Sequence, residues 1–324
     1  MSGLDVTNSK LRGSFEKLLG AGEYILGRLR KGLKGVILTL LLTFWGYFPP
    51  VCASPVDEGH FFAALKARSH QYGWNDLRIS DLPWESYRKS AGGYPLVFLR
   101  LGDDVKNCVL FLGGVHGDEA PAVYLTFMLA QYLREHAELT RGKCIIVAPL
   151  VNPDGFLAEP PSRVNSRGID INRNFPTRDW WREANHCWRM KAKGLRRYYP
   201  GRRPASEPET LFQVALIHRF KPYKILSIHS PLNFFDYDGP STDLDSFEKW
   251  MEKMASEANH PLKKFGYFPG SLGNYAGHER GIFTVTLELP SSDPKEARNY
   301  FRRFQTVFMK FIDLPVWGVP SPNR

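Results

Sequence analysis

The sequence holds no apolar run of the roughly 20 residues that a helix needs to cross a bilayer. Its N-terminal apolar stretch, Val36–Phe48, ends after 13 residues at Pro49-Pro50, which excludes a polytopic membrane protein. Cysteine is scarce: Cys52, Cys108, Cys144 and Cys187 are too few to frame a fold of 324 residues with disulfides. Cys108 and Cys144 lie in apolar, strand-like runs and read as small core residues. Neither an internal repeat nor a low-complexity segment is present, so solenoids, propellers and disordered chains are excluded. Acidic residues are also in short supply, 33 against 43 Lys and Arg, for a net charge of +10. A surplus of that size suggests a polyanionic partner, but its distribution argues otherwise. Residues 1–53 carry seven Lys/Arg and three Asp/Glu, and much of the remainder falls between Arg178 and Arg203, a stretch also rich in Trp. We read that stretch as a solvated loop insertion and expect no nucleic-acid partner.

What is present is the composition of a large globular domain behind a leader. Basic residues from Arg28 to Lys34, the 13-residue apolar run and the small residues of Val51-Cys52-Ala53 follow the order of a secretory signal. Residues 1–53 are therefore expected to be a signal peptide or an N-terminal membrane anchor, tethering through 36–48 if uncleaved, and the protein to be periplasmic or otherwise exported. Residues 54–82 form an N-terminal extension with a helix from His60 to Tyr72, 83–314 the catalytic domain, and 315–324 a tail. Within the domain a hairpin over Tyr87–Ser90 and Pro95–Leu101 is followed by strands and helices in alternation. The strands are Cys108–Leu112, Cys144–Leu150, Lys224–Ile228 and Gly281–Leu289; the helices are Ala120–His136, Glu207–Phe220, Asp243–Asn259 and Pro294–Ile312. Asn152-Pro-Asp-Gly155 reads as a turn. This order predicts a single three-layer α/β/α domain around a mixed, mostly parallel twisted sheet.

Four short segments carry the chemistry. In Gly113-Gly-Val-His116-Gly-Asp-Glu119 a His and a carboxylate three residues apart can hold one metal ion, and the glycines let backbone approach it. HxxE alone occurs often by chance. His229, closing a buried strand in Ser-Ile-His-Ser, supplies a third ligand, and three protein ligands leave a position for water, the arrangement of a catalytic zinc site. Glu288 stands between two leucines in an apolar strand, where a carboxylate is costly unless used; it is expected to act as base. Asp170-Ile-Asn172-Arg173-Asn174 suits capture of a carboxylate by Arg173, with Asn172 beside it. Arg163 and Arg167 lie just upstream, and one cation near the metal stabilises an oxyanion.

At these residues the sequence resembles the M14 zinc carboxypeptidases, from about Leu96 to Phe311. The resemblance implies one Zn2+ per chain on His116, Glu119 and His229, and Glu288 as general base. It implies Arg163 as the arginine that polarises the scissile carbonyl, Asn172 and Arg173 as the clamp for the terminal carboxylate, and Asp170 as the carboxylate that orients the first zinc histidine. The family's flexible-loop tyrosine has no clear counterpart here, and Tyr267 is the candidate for it. Gly-Asp-Glu-Ala-Pro, Ala-Ser206-Glu-Pro-Glu-Thr, Ser-Ile-His-Ser-Pro-Leu and Pro-Gly-Ser271-Leu-Gly-Asn274 look like the family's murein peptide amidase branch. That likeness implies hydrolysis of the γ-D-glutamyl–meso-diaminopimelate bond in peptidoglycan stem peptides or muropeptides. The leader and the basic insertion depart from that branch. The readings held beside it are a metallocarboxypeptidase acting on ordinary peptide C-termini, an aspartoacylase-like deacylase, and an inactive wall-binding protein.

Overall fold

The computed structural model describes residues 54–55, 59–240 and 244–315; the leader and most of the tail lie outside the described residues. Nine strands form one sheet: β1 (Ser54–Pro55), β2 (Glu85–Lys89), β3 (Pro95–Leu101), β4 (Val109–Leu112), β5 (Ile145–Ala148), β6 (Lys224–His229), β7 (Phe234–Gly239), β8 (Leu262–Lys263) and β9 (Phe283–Glu288). The helices are α1 (His60–Gln71), α2 (Ala120–Glu135), α3 (Pro153–Leu157), α4 (Trp180–Met190), α5 (Pro208–Phe220), α6 (Leu244–Glu257) and α7 (Ala297–Asp313). Strand order is β1-β2-β3-β5-β4-β6-β9-β7-β8. The four central strands β5-β4-β6-β9 are mutually parallel, while β3 and β7 flank them antiparallel. The expected α/β/α domain with a mixed sheet is what forms.

Alternate strand residues face opposite sides of a sheet, and here both sides are apolar. Val109, Phe111, Ile145, Val147, Leu226, Val285 and Leu287 join one core with residues of α1, α2, α6 and α7. Leu110, Leu112, Ile146, Ala148 and Ile225 join the other, against Phe212 and Leu216 of α5. That is why the strands read as unbroken apolar runs. The N-terminal extension is no loose tether: Phe61, Phe62, Leu65 and Trp74 are buried in the first core, and Trp74 Nε1 donates to Pro294 O at 2.9 Å.

Three expectations are corrected. Cys108 and Cys144 are buried, but they form a disulfide: the parallel register that pairs Val109 with Ile145 sets the residues before them side by side. Only the register reveals that adjacency, because 36 residues separate the two cysteines in the chain. Asn152-Pro-Asp-Gly opens the short helix α3, with Asn152 Oδ1 accepting from Gly155 N at 2.9 Å as its cap. The basic stretch 178–203 is not a solvated loop; it starts with α4, which buries Trp180 and Ala184 on one face.

One charge lies deep at the amino ends of the strands. Lys224 of β6 is 4% exposed, its ammonium donating to Ile312 O (3.0 Å) and Leu314 O (2.6 Å). Burial pushes it down to about 7. The unfolded chain therefore holds a proton that the folded chain has released between about pH 7 and the ordinary lysine value, and stability should rise with pH across that window. Lys224→Met should flatten the rise by more than about 1 kcal/mol, one pKa unit being worth about 1.4 kcal/mol. Urea unfolding of both proteins from pH 7 to 10 checks this, and parallel curves would contradict it.

Candidate active site

In open α/β sheets a crevice opens where successive connections leave the sheet in opposite directions. Here β5 lies on one side of β4 and β6 on the other, so the crevice lies beyond the carboxyl ends of β4 and β6. The loop leaving β4 carries His116 and Glu119, and β6 ends on His229. Residues 113 chain positions apart thus meet: His116 Nδ1 and His229 Nδ1 are 3.1 Å apart. Glu119 Oε1 lies 2.8 Å from His116 Nδ1, and Oε2 lies 2.9 Å from His229 Nδ1. All three residues are buried, and their donor atoms lie within 4.8 Å of one another.

The donor set fits a zinc ion. Each imidazole turns Nδ1 to the shared centre and Nε2 outward, to Asp170 Oδ1 at 3.3 Å for His116 and to Ser227 Oγ at 2.9 Å for His229. A hydrogen bond at the outer nitrogen fixes the tautomer and leaves the inner lone pair for a metal. Arg163 Nη1, a donor only, lies 3.1 Å from His116 Nδ1 and so marks that atom as an acceptor. Burial alone would raise the Glu119 carboxyl, but the two imidazoles hold it well below the usual carboxylate range. A metal ion at the shared centre would displace any proton from either Nδ1 atom, and an anionic carboxylate with two imidazoles deprotonated there is a hard-to-borderline donor set suited to zinc.

The glycines around His116 have a packing role. A Cβ on Gly117 would lie 2.1 Å from the carbonyl carbon of Gly155, and one on Gly113 would strike Thr126 of α2. They let the metal loop press against α3 and α2.

Asp170 is fully buried and ties the remaining groups together. Its carboxylate accepts from Arg163 Nε at 2.9 Å and Asn172 N at 3.0 Å, besides its bond with His116. Burial would raise its pKa, yet Arg163 and His116 drive it far below the ordinary aspartate value. Arg163 is thereby held against the metal ligands, whereas Arg167 is half-exposed and pairs with Glu207 at 3.6 Å. Glu207 and Glu209, at the start of α5, are both buried and accept from Asn165 Nδ2, bracing the loop that carries Arg163 and Asp170. Burial pushes Glu209 up to about 7.

Asn172 and Arg173 line the same cleft, of about 640 Å3. Asn172 Oδ1 accepts from Leu272 N at 2.8 Å, so its amide nitrogen, which has no hydrogen-bond partner among the described residues, is the donor left for a ligand. The Arg173 guanidinium lies 4.4 Å from the Phe268 ring centroid. Gly270 (φ +74°) admits this arrangement, since a Cβ there would lie 2.2 Å from Arg173 O. Glu288 ends β9 in register with His229, and burial, opposed by His229, raises its carboxyl. Tyr267 also lines the cleft, stacked on His278 at 4.3 Å and 42% exposed.

Sequence reasoning missed several lining residues. Asp236 and Asp238 of β7 face the cleft, with Thr286 donating to Asp238 at 2.9 Å. Burial, with Asp236 alongside, pushes Asp238 up to about 8; burial takes Asp236 to about 6. Two carboxylates at i and i+2 share one face of a strand, a signal available only once Phe234–Gly239 is seen as a strand. Lys191, Arg197 and Tyr198 come from the insertion.

A buried two-histidine, one-carboxylate centre with an arginine against its ligands and an acid at the neighbouring strand end defines a metallohydrolase of the carboxypeptidase class. The chain belongs to the zinc carboxypeptidase family (Peptidase_M14), whose model matches residues 84–300. It is 32% identical to murein peptide amidase A of Escherichia coli (strain K12) over 218 residues, 66% of this chain and 84% of that protein. To the Vibrio campbellii murein peptide amidase A it is 30% identical over 215 residues, 63% of this chain and 78% of the other. Among solved structures it is similar to the murein-tripeptide amidase of E. coli O157, with a TM-score of 0.53, 25% identity, and coverage of 75% and 97%. Bovine thrombin-activatable fibrinolysis inhibitor shares the fold at a TM-score of 0.60 and 18% identity, covering 80% and 97%.

Asp170→Asn keeps the shape but removes the charge behind His116. It should weaken zinc binding by about 10- to 100-fold, read by competition with a chromophoric chelator. Unchanged affinity would mean that Asp170 does not tune the ligand.

Proposed function

We propose that the protein is a zinc-dependent amidase that cleaves the γ-D-glutamyl–meso-diaminopimelate bond of peptidoglycan peptides, with one zinc ion per chain on His116, Glu119 and His229. The observation that carries this reading is the paired chemistry of the cleft. The clamp of Arg173 and Asn172 suits a carboxylate, and Asp236 with Asp238, whose carboxyls burial lifts toward neutrality, adds a wall that a bound cation would ionise. Diaminopimelate brings a carboxylate for the first and an ammonium for the second. The relatives named for murein peptides support the same substrate class.

Zinc bound at this centre supplies Lewis acidity and makes water acidic enough to ionise near neutrality. Glu288, with its raised carboxyl, takes a proton from the attacking water and passes it to the leaving amine. Arg163 faces the oxyanion that develops at the scissile carbonyl. Arg173 and Asn172 hold the released residue's carboxylate and so set which bond is cut. Tyr267, on the rim, covers the bound residue.

Glu288→Gln should abolish turnover, by about a thousandfold or more, while zinc remains bound stoichiometrically. The full-length enzyme should release diaminopimelate from the tripeptide L-Ala-γ-D-Glu-meso-diaminopimelate and lose that activity to a chelator. Hydrolysis of ordinary peptide C-termini in preference to the tripeptide would point to a broader carboxypeptidase.

The leader is assigned to export, cleaved after Ala53 or retained as a membrane tether. The Cys108–Cys144 disulfide supports an oxidising compartment. Alkylation of denatured, unreduced protein from cells should leave both thiols unlabelled, and their labelling would place the chain in a reducing compartment.

A further inference from the structure

The insertion contributes a wall to the cleft, and that wall carries charges the hydrolytic groups do not use. Between Arg178 and Arg203 there are nine Lys/Arg and two Asp/Glu. Of these cations, Lys191 and Arg197 line the cleft. The turn that presents them is pinned: Trp188 Nε1 donates to Leu195 O at 2.9 Å, and the Trp188 ring packs on Tyr199 at 4.8 Å.

Arg197 is aimed at the metal loop. Its Nη2 lies 3.1 Å from Oδ2 of Asp118, the residue before Glu119. Asp118 Oδ1 is buried without a partner among the described residues, so the pair is joined through one oxygen and the guanidinium keeps other donors. Its side chain is 52% exposed, which leaves those donors accessible. Arg197 and Arg163 both lie over the Tyr198 ring, at 5.5 and 5.0 Å from its centroid. Arg163 in turn touches His116. A second cation therefore stands one aromatic ring away from the arginine beside the metal ligands. Lys191 makes no ion pair among the described residues.

We propose that Arg197, assisted by Lys191, reads a free carboxylate on the acyl side of the scissile bond. The released residue is accounted for by Arg173, Asn172, Asp236 and Asp238, so cations bordering the metal loop elsewhere face the part of the substrate that stays behind. An ordinary peptide has no free main-chain carboxylate there, because the α-carboxyl is consumed in the bond being cut. A γ-linked glutamyl residue does: its side-chain carboxyl forms the scissile amide and its α-carboxylate is left free beside it. A guanidinium with spare donors matches that group in charge and shape. Arg197 and Lys191 are specificity residues on this reading, which deepens the amidase proposal and rests on it.

The test uses full-length protein and two tripeptides that differ in one group, L-Ala-γ-D-Glu-meso-diaminopimelate and its D-isoglutaminyl counterpart, in which the α-carboxylate is a carboxamide. Wild-type kcat/KM should favour the carboxylate by about tenfold or more, as for a hydrogen bond to a charged group, mainly through KM. R197A and K191A should each shrink that ratio, the double variant should bring it near one, and R197K should keep part of it. Because the readout is a ratio within one protein, a general loss of folding or metal does not move it. A wild-type ratio near one, or a double variant that keeps the preference, overturns the inference while the amidase reading stands. Cleavage of neither tripeptide, with ordinary peptides hydrolysed, overturns the amidase reading and this inference with it.

Discussion

The buried carboxylate of Asp170 is the joint on which the site turns. It accepts from His116, from Arg163 and from the backbone of Asn172, so a metal ligand, the adjacent cation and the carboxylate clamp share one anchor. A charge in so dry a place is tolerable only because three donors meet it. Loss of any donor leaves the others around an uncompensated anion. The loop from Arg163 to Arg173 is accordingly held from outside as well, by Asn165 on Glu207 and Glu209.

Around that joint the cleft separates its basic from its acidic groups. Cations from Arg163, Arg173 and Arg197 stand on loops and on the insertion, while Asp236, Asp238 and Glu288 stand on β7 and β9. Strands hold side chains at a fixed pitch, which suits carboxylates that must meet one atom of a substrate. A long arginine on a loop reaches over a wider range. The segregation favours a substrate that presents charges of both signs, and it sets the cleft apart from a plain apolar specificity pocket.

Much of this was legible in the chain. Ala120–Glu135 and Pro208–Phe220 show themselves through apolar runs with proline in the first turn, His116, Glu119 and His229 through their place at or beyond strand ends, and Glu288 through its charge within an apolar strand. The helix α4 is legible in principle, since Trp180, Ala184 and Trp188 recur at helical spacing, but the dense charges between them fit a solvated loop equally well. The strand β7 carries two aspartates and a glycine, residues rare in strands, so its propensity speaks against what tertiary packing imposes.

The sequence by itself determined which groups are available: two histidines and a glutamate for a metal, an acid in an apolar strand, and an Asn-Arg pair in a polar loop. Those are local facts of residue type and spacing. Only the tertiary structure decided which groups share a space. The order β5-β4-β6 places the reversal of the sheet between β4 and β6, bringing His116 to His229. The parallel register sets Cys108 beside Cys144, and packing of the insertion carries Arg197 to the rim of the metal loop. Contacts between distant segments follow from strand order and register, which depend on how the whole chain buries its apolar faces rather than on any stretch of it.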